Sequence, residues 1–159
     1  MVKENDGILD EADLFCRKEI DDLLSTTFNA ILRVEEKSLQ NKLTDGLTIT
    51  EIHTVEAVGL YETNPMNVVA ARLGVTLATL TTAVNKLEKK GFIARARCEE
   101  DRRKMLINLT KKGRQVYRAH GLFHKKMLTE ALDDLTLEEE RVLARSLRKV
   151  KIFFEENAE

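Results

Sequence analysis

Apolar residues recur every three or four positions over most of this chain, and one stretch breaks that rhythm. Between residues 10 and 43, Leu14, Phe15, Ile20, Leu23, Leu24, Phe28, Ile31, Leu32 and Leu39 fall at roughly helical spacing, which predicts one long helix ended by Asp45-Gly46. Thr48-Ile49-Thr50-Glu51 has the form of a capping box, in which a hydroxyl accepts from the third backbone N–H and the Glu reaches back. It predicts a helix to about Tyr61 with Ile52, Val55 and Val58 inward. Asn64-Pro65 predicts the next start, with Asn as N-cap and proline in the first turn, where its missing N–H costs nothing. That helix carries Val68, Val69 and Leu73 to Gly74. After Thr76, a further N-cap, Leu77, Leu80, Val84 and Leu87 share one stripe at about 100° per residue. The helix so predicted, about 77–90, is closed by Lys89-Lys90-Gly91.

Period two then takes over. Phe92, Ala94, Ala96 and Cys98 alternate with Arg95 and Arg97, and beyond a charged tip Met105, Ile107 and Leu109 alternate again. This predicts a hairpin whose apolar residues face in and whose arginines face out. Thr110 caps a predicted helix over about 111–132. Thr136-Leu137-Glu138-Glu139, a second capping box, opens a last helix to about Glu155 bearing Val142, Leu143, Leu147, Val150, Phe153 and Phe154. The terminal helices carry more apolar surface than a small winged helix can cover, so they are expected to pair with those of a second copy. The expected fold is mainly α with a small β-wing. A winged helix-turn-helix occupies 48–114, and 1–47 with 115–159 form a helical dimerisation region.

Charge changes the picture through its placement. The 159 residues hold 26 Lys or Arg and 27 Asp or Glu, a net −1. Between Lys86 and Arg114, however, eleven cations face four acids, so that segment is +7 and the remainder −8. Phosphate binding depends on such a local patch rather than on the total. A hydrophobic share of 43% and a charged share of 33% fit a soluble helical protein. No apolar run approaches the ~20 residues that span a bilayer, and the acidic N-terminus is unlike a signal peptide. Two distant cysteines, Cys16 and Cys98, suggest a reducing cytosol.

Reading a base edge requires a helix that fits the major groove and offers short donors and acceptors there. Opposite the apolar stripe of the 77–90 helix lie Ala78, Thr79, Thr82, Lys86 and Lys89, with Asn85 at the edge. Hydroxyls suit either base class or a thymine methyl, Asn suits adenine, and Lys suits guanine or phosphate. Polar stripes are usually just solvated faces. Threonine, though, costs several tenths of a kcal/mol against alanine in a helix, so Thr79, Thr81 and Thr82 favour function. Thr76 and Arg97 extend the same candidate surface. At the hairpin tip, Asp101 stands two residues from Arg103 and can hold that guanidinium extended for a narrow minor groove, leaving Arg102 and Lys104 for phosphates. Alone, this tip would read as an ordinary charged turn.

Together these residues resemble the MarR family of bacterial winged-helix repressors. The matching stretch, about 48–114, contains "LTITEIHTVEAVG" and "VVAARLGVTLATLTTAVNKLEKKGFIARARCEEDRRKMLINLTKKG", and Asp101-x-Arg103 followed by "LTKKG" is its specific part. The resemblance implies a homodimer whose 76–90 helix reads the major groove while Arg103 probes the minor groove. "VEEKSL" at 34–39, "EIHT" at 51–54, "TLTTAVNKLEKKGFI" at 79–93 and "LFHKKM" at 122–127 are most similar to that family's repressors of fatty-acid biosynthesis. This implies acyl-carrier protein bearing a long acyl chain as corepressor, with the tail in an apolar tunnel between the dimerisation helices and the winged domain. Phe28, Leu32, His53, His120 and His124 are the candidate pocket residues.

Other chemistries compete for some of these residues. His120 and His124 stand at i and i+4, a spacing that can place two imidazoles on one metal, with His53 and Glu35 or Glu36 to complete it. Zinc-sensing members of the family place histidines similarly. Against zinc, Ala119 and not an acid precedes His120, and no acid is evident to orient the ligands. Cys16 resembles the thiol of peroxide-sensing members, but Asp13 and Glu19 offset Arg17 and Lys18, and no tyrosine lies nearby in the helix. Cys98 is expected in the core. An enzyme is not expected: there is no nucleophile elbow, phosphate loop or HExxH.

Overall fold

The computed structural model describes residues 11–38, 44, 46–97 and 104–157. Cys98, the wing-tip residues 99–103 and Leu39 therefore lie outside the described residues. The helices are α1 (Glu11–Ser38), α2 (Ile49–Val58), α3 (Met66–Leu73), α4 (Leu77–Lys89), α5 (Lys111–Ala131) and α6 (Leu137–Glu156). The strands are β1 (Thr63–Pro65), β2 (Ile93–Arg97) and β3 (Met105–Leu109), which form an antiparallel sheet in the order β1-β3-β2. The chain divides into two compact units, Met1–Val116 and Tyr117–Glu159. Among the described residues, no single helix is long and apolar enough to cross a membrane.

The core of the first unit is built where α2, α3 and α4 meet the sheet. Ile52, Val55, Val58, Val69, Leu80, Val84, Leu87, Ile93, Ile107 and Leu109 are almost entirely withdrawn from water. Local chemistry sets the ends of the helices that supply them. Both halves of the Thr48/Glu51 capping box are formed, with Glu51 N–H donating to Thr48 Oγ1 at 3.2 Å and Thr48 N–H to the Glu51 carboxylate at 2.9 Å. Thr76 Oγ1 likewise accepts from Thr79 N–H. The α3–α4 turn needs Gly74, whose φ of 63° lies in the left-handed region where a Cβ is strained. Across this turn the two helices bend by 106°, the geometry of a helix-turn-helix.

Four expectations fail; one is Met105, read as facing in but 37% exposed at the start of β3. Asn64 does not cap α3. Its side-chain NH2 donates to Val58 O at 2.9 Å and to Glu62 at 2.8 Å, the helix begins at Met66, and residues 63–65 pair with β3 instead. Leu77 is 51% exposed rather than inward, because the buried stripe of α4 starts one turn later, at Leu80. The wing's first strand is turned over: Ile93, Arg95 and Arg97 oppose Leu109, Ile107 and Met105, so Arg95 shares the buried face while Ala94 and Ala96 are exposed. Opposed residues of an antiparallel pair project to the same side, so the large apolar residues of β3 choose the face.

The first turn of α5 is fixed to the winged core. Thr110 Oγ1 accepts from Gly113 N–H at 3.1 Å and donates to Gly91 O at 2.7 Å. A Cβ on Gly113 would collide with the Phe92 carbonyl oxygen, so only glycine permits this approach. Arg114 donates to Leu109 O, and the Lys112 ammonium lies 4.1 Å from the centre of the Phe92 ring while donating to Lys90 O. In the second unit, the Thr136/Glu139 box opens α6, none of whose residues is buried.

Candidate nucleic-acid interface

The α4 helix presents the surface on which recognition depends. Leu80, Val84 and Leu87 anchor one side, which leaves Thr76, Thr79, Thr82, Asn85, Lys86 and Lys89 exposed along the other and Thr81 half-buried. The threonine hydroxyls are locally engaged: Thr81 donates to Leu77 O at 2.7 Å, Thr82 to Ala78 O at 3.2 Å, and the Thr76 and Thr79 oxygens lie 2.9 Å apart. Back-bonding of this kind lets threonine sit in a helix while its oxygen keeps lone pairs for an outside donor.

At its C-terminal end α4 is clamped. Lys90 Nζ donates to Gly46 O at 2.6 Å and to both Glu51 carboxylate oxygens at 2.8 Å. Burial of Glu51 opposes its charge, but the Lys90 ammonium and the Thr48 N–H more than offset this and hold its carboxyl below the usual range. Lys90 therefore belongs to the fold as much as to the basic surface. Arg95 is also occupied, since its Nη2 donates to Asn85 Oδ1 at 2.6 Å and its Nε lies 3.6 Å from Glu88. The expectation that Arg95 points outward is thus corrected, and Asn85 gains a partner that local sequence did not reveal. Strand register was the missing signal. Lys104 and Arg97 are exposed at the base of the wing, while Asp101, Arg102 and Arg103 lie outside the described residues.

The candidate pocket residues are distributed as follows. His53, on α2, lies 3.8 Å from Glu35 and lines a cavity of about 190 Å³ shared with Thr54, Leu73, Thr79 and Leu80. Phe28 on α1 is exposed and Leu32 half-buried. On α5, the Nε2 atoms of His120 and His124 approach to 3.0 Å in an edge-to-face arrangement, so one ring donates to the other. Cys16 is exposed.

A tri-helical core, a 106° helix-turn-helix and a three-stranded sheet define a winged helix-turn-helix fold. The MarR family model matches residues 47–105. The chain is 37% identical to FabT of Streptococcus pneumoniae, whose crystal structure is a complex with DNA, with a TM-score of 0.83 over 88% of this chain and 98% of that one. This chain belongs to the MarR family. It is also 29% identical to SarZ of Staphylococcus saprophyticus over 146 residues, which is 88% of this chain and 99% of that regulator. With the Bacillus subtilis regulator YfiV it shares 33% identity over 92 residues, 52% of this chain and 56% of that protein. The chain thus spans less than two thirds of that relative's length. All are transcriptional regulators and none is an enzyme.

Proposed function

We propose that this protein is a homodimeric repressor that binds operator DNA and controls fatty-acid-biosynthesis genes, with acyl-carrier protein bearing a long acyl chain as corepressor. In this reading 48–114 is the DNA-binding region, and 1–47 with 115–159 the dimerisation region. Thr76, Thr79, Thr81, Thr82, Asn85, Lys86 and Lys89 face the major groove, while Arg97, Asp101, Arg102, Arg103 and Lys104 serve the wing. The observation that carries the reading is the 37% identity across 98% of FabT, a relative captured on DNA. The exposed polar side of α4 and the local excess of cations support it. Dimerisation is supported by Phe15, Phe28, Leu147 and Phe154, which stand exposed on the terminal helices.

The test is a mobility shift on duplexes from upstream of fatty-acid-biosynthesis genes. Binding weakens steeply as salt rises. Long-chain acyl-carrier protein tightens it, and the unacylated carrier does not, because only the former has an apolar tail to bury. An equal response to both carriers overturns the effector, and salt-indifferent binding overturns the DNA reading. Loss of regulation after exhaustive chelation would instead favour the zinc alternative at His53, His120 and His124.

A further inference from the structure

Arg95 reaches Asn85 from the buried face of β2, where its side chain is only 22% exposed and stands opposite Ile107. A guanidinium carries donors alone, so the oxygen of the Asn85 amide must be the atom turned toward it and the NH2 the atom turned away. The 2.6 Å separation is that of a hydrogen bond strengthened by a cation. The Glu88 carboxylate lies 3.6 Å from Arg95 Nε, an ion pair without a hydrogen bond. Asn85, Glu88 and Arg95 thus form one small assembly across the α4–β2 junction.

We propose that Arg95 is a positioning residue that fixes Asn85 as a hydrogen-bond donor, so that this turn of α4 selects guanine over adenine in the major groove. The inference rests on the reading that α4 enters that groove. For Asn to recognise adenine through two bonds, its oxygen must accept from the N6 amino group while its NH2 donates to N7. Here one lone pair of that oxygen is taken by a cation, and an adenine amino group reaching for the other would have to sit beside the guanidinium's own N–H donors, donor against donor. Guanine presents two acceptors, O6 and N7, which match an outward NH2 backed by positive charge. An unpartnered Asn85 would carry the opposite preference.

Selection from a randomised duplex pool by the purified full-length protein tests this. The unmodified protein enriches guanine over adenine about 5- to 150-fold at one position of each half-site. Asn85→Ala loses the preference at that position alone. Arg95→Met removes the donors but keeps aliphatic bulk, and it turns that position toward adenine while the other positions keep their bases. A purely structural Arg95 would weaken all positions together, and that result overturns the proposal. So does adenine at the Asn85-dependent position of the unmodified protein. If thermal melting shows that Arg95→Met does not fold, Arg95→Lys must retain guanine and Arg95→Gln must weaken it, and the reverse ranking is equally fatal. Failure to enrich any sequence, with binding indifferent to salt, overturns instead the DNA reading beneath it.

Discussion

Leu87 and Leu147 are the same side chain on two amphipathic helices, yet their surroundings are opposite. Leu87 on α4 has no contact with water, whereas Leu147 on α6 is exposed, as are Leu143, Phe153 and Phe154 on the same helix. Both helices show the spacing that usually signals a core. The difference teaches that an apolar stripe states a requirement for cover, not where the cover comes from. The winged unit meets the requirement internally. The terminal helices, with side chains each worth about 1.5–3 kcal/mol when withdrawn from water, stand exposed, and under the proposed function a second copy covers them.

The sharpest way to break this contrast is a pair of truncations. Leu87→Ala should cost about 2–5 kcal/mol in chemical denaturation, independent of protein concentration. Leu147→Ala should lower stability only as far as it weakens the dimer, so its effect should grow as the protein is diluted. Equal, concentration-independent losses would place α6 in an intrachain core and end the comparison.

A smaller effect probes the seam that joins α5 to the winged core. Gly113→Ala sets a methyl against the Phe92 carbonyl, and should cost about 1–3 kcal/mol in thermal unfolding. An unchanged midpoint would mean that the seam yields freely. The smallest effect concerns Glu51. Its carboxyl is depressed in the folded state, so its contribution is complete above the unfolded value of about 4.3 and is lost as pH falls through the lower folded value. Glu51→Gln keeps the capping geometry but not the charge. It should cost about 1 kcal/mol at pH 7, with the gap closing in acid, as followed by urea midpoints. A gap that persists at low pH would remove the carboxylate from the account.

Features written within a few residues were legible before any coordinates. The Thr48/Glu51 and Thr136/Glu139 boxes, Thr76, Gly74, Gly91 and the buried trio Leu80, Val84 and Leu87 are all local patterns, and they locate most helices to within a few residues. Features set by pairing were not. The three residues of β1 acquire strand character only by lying beside β3, and Asn64 reads as a cap although its side chain turns back to Val58 O at the end of α2. Ala94 and Ala96 looked inward because they are apolar, but alanine gains little from burial, so β3 decided the face. The same inversion concealed the link between Arg95 and Asn85. The exposed side of α4 was readable as a candidate surface; its hydrogen-bond polarity was not.

The clamp at Lys90 bears on how strongly a duplex would feel this protein. Lys90 is committed to Glu51, Arg95 to Asn85 and Glu88, Lys112 to a backbone carbonyl and an aromatic face, and Arg114 to Leu109 O. A nucleic acid therefore meets fewer available positive groups than the spelling of residues 86–114 implies. Counterions freed on association, at about 0.9 per phosphate neutralised, should number well below the eleven cations written there.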